Sequence, residues 1–390
     1  MEQEGFSLNR ESLSNFSKKL KSEIAEIQEG IFKISGKEFN ISSPKQLGDI
    51  LFLDLKLDKN AKKTKTGQFS TSEQNLQRLK NIHPIIELVL KYRSLEKLFS
   101  TYVEALPNLI NIKTNKIHTT FNQAIAATGR LSSKEPNLQN IPIRTKYGRE
   151  IRRAFVPSNG NILLAADYSQ IELRLIAEFS SEPTMTQAFL EDKDIHSMTA
   201  SKLFNLPFED ITREMRSNAK TVNFGIIYGV SAFGLSQQTN LNRKESAALI
   251  HTYFEKYKKL KTYMNHQIAF AREHGYVETI LGRKRYLKDI NSRNALLRSH
   301  AERNAINAPI QGSAADIIKK AMINIFKEFD SLKIQSKMIL QVHDELIFDV
   351  HKSEKAIVEK IVKTKMENAY KMNIPLKVES DFGENWLQAH

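Results

Sequence analysis

Acidic residues at the ends of apolar runs are the first feature of this sequence that could do chemistry. Asp167 closes Asn161-Ile-Leu-Leu-Ala-Ala-Asp, and Asp344 and Glu345 follow a second β-rich run that begins at Lys337. Carboxylates buried at strand ends are unfavourable unless a cation neutralises them. The hard, oxygen-preferring Mg²⁺ is the natural partner, held by one or two carboxylates together with substrate phosphates. Two such ions can stabilise the attacking and leaving oxygens of an in-line displacement. The competing reading is that these acids are ordinary caps and turn residues, where Asp is common.

A second group is helical in spacing. Arg216, Lys220, Phe224 and Tyr228 recur every four residues and so share one slowly turning helix face. Two cations would meet a polyphosphate, and the rings beyond them could lie against a sugar or stack on a base. The plainer alternative is an amphipathic helix with its aromatics in the core. A third group, Arg303, Asn307 and Gln311, also has four-residue spacing despite Pro309. Such side chains suit the minor groove, where the acceptors of all base pairs look alike, or they are simply exposed.

The surrounding elements follow from pattern. Leu13, Phe16, Leu20, Ile24 and Ile27 mark an amphipathic helix across Glu11 to Glu29. Helical pattern resumes from Ser72 to Thr101. Between them, the Lys-rich stretch from Lys59 to Glu73 reads as an exposed loop. It is either a solvated linker or a tip that grips sugar-phosphate through residues such as Lys63 and Lys65. The run ending in Asp167 predicts a buried strand. The segment from Lys337 to Val350 predicts a hairpin with His343, Asp344 and Glu345 at or beside its turn. Residues from about 170 to 330 read as mainly helical, broken at Pro183, Gly229, Gly275 and Gly282. The expected class is α+β: a small sheet with many helices.

Composition narrows the function classes. The 390 residues suggest two or three domains, and 41% hydrophobic against 26% charged residues excludes a disordered chain. Zero Cys removes disulfides, thiol nucleophiles and thiolate zinc sites. No apolar run is long enough for a membrane-spanning helix. Without a secretion-signal pattern, the expected location is the cytoplasm (a bacterial nucleoid) or an organelle. A net charge of +14 favours polyanionic partners.

The three groups together resemble the family A, bacterial DNA polymerase I-like, DNA polymerases. Asp167-Tyr-Ser-Gln-Ile-Glu-Leu-Arg is similar to motif A of that family, the Arg216 to Tyr228 series to motif B, and Val342-His-Asp-Glu to motif C. The likeness extends to Thr128-Gly-Arg-Leu-Ser-Ser, Pro136-Asn-Leu-Gln-Asn-Ile-Pro, Gly275-Tyr-Val-Glu-Thr and Gly383-Glu-Asn-Trp. It implies a right-hand fold, with an N-terminal palm edge and helical thumb over 1–115 and a first palm part over 116–180. Helical fingers would occupy 181–300, and a second palm part with an antiparallel sheet 301–390.

The resemblance also implies roles. Asp167 and Asp344 would hold two Mg²⁺ ions (Mn²⁺ as a substitute) with help from the Tyr168 carbonyl, and Glu345 would be an auxiliary acid. Arg216, Lys220 and His196 would hold the triphosphate, with Lys220 a candidate proton donor to the leaving pyrophosphate. Phe224, Tyr228, Gln170 and Glu172 would line the dNTP site. Glu172 would act as a steric gate against ribose, and Phe224 would disfavour dideoxynucleotides. Arg130, Arg303, Asn307, Gln311 and His343 would contact the primer-template duplex, with Lys63 and Lys65 also on the duplex. Ser217 departs from relatives that carry a second Arg there, and Lys288 from those with Pro. The implied protein is a monomeric DNA-directed DNA polymerase, with no proofreading or 5′-nuclease domain in this chain and no membrane partner. The alternatives are RNA-templated DNA synthesis and a non-catalytic primer-template-binding factor.

Overall fold

In the computed structural model, which describes residues 1–143 and 145–390, the first long helix is α1, Arg10–Ser35. The Asn9 side chain caps it by accepting from the Ser12 amide, and Gly36 ends it at φ 73°. Its buried stripe is the predicted one with Ile31 added. The helix expected from 72 to 101 is broken. A short helix spans Glu73–Arg78, and α2 restarts at Pro84–Leu98. Pro84 has no amide hydrogen and drives His83 to an extended conformation, which no helix continues through. The Lys-rich segment is an exposed, tight loop: the Ser70 amide donates to the Lys62 carbonyl at 2.8 Å, and Thr64 to Gln68 at 2.7 Å. Phe69 anchors it against Phe52, ring to ring at 5.1 Å, while Lys63 and Lys65 remain exposed.

Four antiparallel strands form the central sheet: β1 (Asn161–Tyr168), β2 (Lys337–Val342), β3 (Glu345–His351) and β4 (Val378–Gly383), in the order β4-β1-β3-β2. Both faces are covered. Leu164, Ala166, Tyr168, Leu346, Phe348 and Val350 enter one core, and Leu163, Ala165, Leu340 and Ile347 enter the core that also contains α1 and α2. Double burial explains why the β1 sequence is an unbroken apolar run rather than an alternation. Glu345 lies beside the turn, as expected; it is the first residue of β3, directly opposite Asp167. His343, at φ 53°, makes the turn.

Helices from the middle of the chain stack on the first core: α3 (Ile171–Ser180), α4 (Ile195–Phe204) and α5 (Arg213–Ile227). Tyr228 falls just past α5 as its C-cap, so the expected four-residue series leaves the helix at its last member. Helix α6, Ala295–Ser331, runs unbroken through Pro309. The division expected at 300/301 therefore lies within one helix. The Tyr276–Glu278 and Lys284–Tyr286 strands form a separate ribbon. Helix α7, Trp386–Ala389, packs beside the sheet.

Candidate active site

The sheet brings the distant acids together. The Tyr168 amide donates to the Asp344 carbonyl at 3.2 Å, so Asp167 and Asp344 flank one backbone hydrogen bond. Asp167 is also in register with Glu345 on one side and Glu379 on the other. Burial pushes the Asp167 carboxyl up to about 8, helped by Asp344, Glu345 and Glu379. Asp344 rises to about 6, first through burial and then through Glu172. Tyr168 is anchored beneath them, its hydroxyl donating to the Met366 carbonyl at 2.7 Å.

Asp167 Oδ1 is buried without a hydrogen-bond partner, whereas Asp349, further along β3, is satisfied. Asp349 accepts from the Ser158 amide at 3.2 Å and from Asn161 at 3.0 Å, with the Lys116 ammonium 3.8 Å away. One buried acid is thus structural, and the other waits for a partner. An all-oxygen donor set with mutually repelling carboxylates fits a hard divalent cation. No group of three or more His, Asp or Glu side chains forms a metal cage among the described residues.

Helix α5 presents the cations. Thr212 caps it by accepting from the Met215 amide. Arg216 is held by Asp194 in a bidentate pair, Nε at 3.1 Å and Nη2 at 2.7 Å, and Asp194 itself caps α4 by accepting from the Ser197 amide. Burial of Asp194 is outweighed by these donors, which bring its carboxyl down to about 2. Lys220 is exposed one turn on, and Phe224 packs 5.7 Å from the His196 ring. His196 is buried, and burial with the nearby Lys220 and Arg216 lowers it to about 4 against the pull of Asp194. It is neutral at pH 7.

On the opposite side, Glu172 on α3 accepts from Tyr228 and pairs with Arg130 at 2.5 Å. Gly229 follows Tyr228 at φ 70°, and a Cβ there would lie 2.6 Å from Arg303 Cγ, so only glycine permits this turn against α6. Arg303 donates to the Ser299 hydroxyl at 3.1 Å. Asn307 Oδ1 and Gln170 Oε1 are buried without partners, and Gln170 caps α3 at φ 54°. Buried acceptors are normally paired, and these two, like Asp167 Oδ1, have no partner within the protein. Gln311 lies on the Arg303 face of α6, and His343 is exposed at the hairpin turn. Lys63 and Lys65 sit on their separate loop.

Sequence reasoning missed several residues of this site. Asp194 precedes an Ile-His-Ser helix start, a capping signal that was available. Asn223 donates to His196 Nδ1 at 3.1 Å and belongs to a buried network with Thr199, Tyr253 and Tyr257. Arg283 staples the loop carrying Arg130 to α6, donating to the Thr128 and Gly312 carbonyls at 2.8 and 3.0 Å and pairing with Asp316 at 2.9 Å. Neither had a local signal.

Known proteins share this fold. The chain matches DNA polymerase family A over residues 10–388. It is 48% identical over 388 residues to DNA polymerase I of Caldicellulosiruptor bescii, covering 100% of this chain and 45% of that protein. DNA polymerase I of Bacillus subtilis is 47% identical over 390 residues, covering 100% and 44%. The chain thus spans less than half the length of these relatives. The POL domain of Pol1 from M. smegmatis, solved in complex with DNA primer-template and dNTP, superposes with a TM-score of 0.93. It is 42% identical, covering 99% of this chain and 68% of that one. The fold is that of a family A polymerase domain.

Proposed function

Because the chain belongs to DNA polymerase family A, we propose that it catalyses template-directed transfer of a nucleotidyl group from a dNTP to a primer 3′-OH, releasing pyrophosphate. The observation that carries this reading is the juxtaposition of Asp167 and Asp344 at one backbone hydrogen bond, with Asp167 Oδ1 left unpartnered.

Asp167 and Asp344, with the Tyr168 carbonyl, would hold the divalent cations, Mg²⁺ or Mn²⁺. Bound there, Mg²⁺ supplies Lewis-acid stabilisation of the charge that develops on the transferred phosphate. The protein's own residues do the rest. Arg216, pre-oriented by Asp194, and the exposed Lys220 receive the triphosphate, and Lys220 is placed to give a proton to the pyrophosphate. Neutral His196, whose Nδ1 accepts from Asn223, would donate a hydrogen bond there from Nε2 without adding charge. Phe224 packs under the incoming sugar, where a phenol hydroxyl would be needed to replace a missing 3′-OH. Glu172, immobilised by Arg130 and Tyr228, crowds the 2′ position, and Gln170 caps the same edge.

Arg303, Asn307, Gln311, His343 and Arg130 line the primer-template side, with Lys63 and Lys65 on backbone phosphates farther off. An N-terminal palm edge and helical thumb would cover 1–115, the first palm part 116–180, the fingers 181 to about 300 and the second palm part the remainder, the last two meeting within α6. The protein would act as a monomer, in the cytoplasm or an organelle. No helix among the described residues is long and apolar enough to cross a membrane. A primer-extension assay on a DNA template with Mg²⁺ and dNTPs tests the proposal: templated extension is expected, and its absence overturns it. A parallel RNA template separates the reverse-transcriptase reading.

A further inference from the structure

Glu345 is held from outside the sheet. Its side chain is 4% exposed, and its Oε1 accepts from the Trp386 indole Nε1 at 3.4 Å and from His390 Nδ1 at 3.0 Å. A carboxylate only accepts, so the His390 proton sits on Nδ1. Trp386 cannot turn away. It is fully buried against Phe155 and Phe6, with ring centroids at 5.5 and 6.1 Å, and the Arg152 guanidinium lies 4.0 Å from its ring. Arg152 brings compensating positive charge into the same buried cluster, with Nε and Nη1 unpartnered.

Asp167 stands directly opposite Glu345 across the ladder. Side chains opposite one another on antiparallel strands project to the same face, with Cβ atoms about 5 Å apart. A free Glu, with its extra rotatable bond, would reach across and compete with Asp167 for the same cation. We propose that Trp386 and His390 are positioning residues for the reaction, clamping one oxygen of Glu345 so that the carboxylate stands beside the Asp167–Asp344 pair in a single orientation. The inference deepens the polymerase reading and rests on it for its kinetic consequence.

The chain contains one Trp, so indole emission reports this cluster alone. The test compares the unsubstituted protein with His390→Ala, His390→Asn (which keeps an N–H near the Nδ1 position), Glu345→Gln, and the double variant His390→Ala/Glu345→Gln. Circular dichroism first checks that each folds. The first readout is Trp386 emission during titration with Mg²⁺ alone, without DNA or nucleotide. A saturable change is expected, with its midpoint moved about tenfold by His390→Ala and restored by His390→Asn. The second is single-turnover extension. His390→Ala should lower the rate at saturating dNTP about tenfold with little change in KM for dNTP, His390→Asn should recover it, and the double variant should be no slower than its slower parent. An unchanged midpoint and rate in His390→Ala, or effects that multiply in the double variant, overturn the clamp. If the unsubstituted protein extends no primer, the polymerase reading fails instead, and the Mg²⁺ titration still decides the clamp.

Discussion

Tyr228 donates its hydroxyl to one oxygen of Glu172, while Arg130 holds the other. Three segments far apart in sequence thus converge on one carboxylate, and the Glu172 side chain has no freedom to yield to a bulkier sugar. Glu172→Ala should raise ribonucleotide incorporation relative to dNTP by about 10- to 200-fold, the range a single pocket contact can supply. Competition assays with matched rNTP and dNTP measure it, and an unchanged ratio removes Glu172 from the sugar-gating role. Tyr228→Phe should give a smaller rise, because Arg130 still restrains the acid.

Asp167→Asn and Asp344→Asn keep size but remove the charge a divalent cation needs. Each should cut primer extension by a factor on the order of 10³, while duplex affinity in a filter or anisotropy assay stays within about twofold. Extension at near-normal rates by either variant would refute the cation assignment.

The raised acids tie stability to pH. Asp167 at about 8 and Asp344 at about 6 hold protons in the folded, cation-free protein that the unfolded chain has already released above about pH 4. The folded state binds more protons, so this contribution is full at low pH and is lost as pH rises towards 8. Mg²⁺ binds the ionised pair and should reverse the loss. Thermal melts should therefore show a Mg²⁺-induced rise in Tm that is larger at pH 8 than at pH 5.5. Calorimetry in two buffers should show proton release on Mg²⁺ binding near neutral pH.

Lys63 and Lys65 are exposed, and the Lys63 ammonium lies 5.1 Å from the ring of Phe69, the loop's anchor. Replacing both with Ala should lower the slope of log affinity for duplex DNA against log salt by up to about 1.8, close to 0.9 per phosphate contact. An unchanged slope would make the loop a solvated linker.

How much of this was legible beforehand depends on distance along the chain. The strand ending in Asp167, the hairpin near Asp344 and the stripe of α1 are local patterns, and they appear where expected. The break at Pro84 was also a local signal, overlooked because apolar residues recur on both sides of it. Glu345 stands beside the His343–Asp344 turn as expected, but its opposition to Asp167 is a matter of register, which the partner strand sets. Asp194 with Arg216, and Glu345 with Trp386 and His390, depend on contacts across 22, 41 and 45 positions. Periodicity carries no information about such pairs. Only the packed fold makes them neighbours.

Helix α6 has a mechanical consequence. Its 37 residues make a rod of about 55 Å, carrying Arg303 in its first half, Gln311 near its middle, and Phe329, its ring centroid 6.0 Å from that of Phe348, near its far end. It ties the end of α5 to the back of the sheet through one rigid element, and Gly229 is the point where the chain after α5 lies directly against that rod, because only glycine fits so close to Arg303.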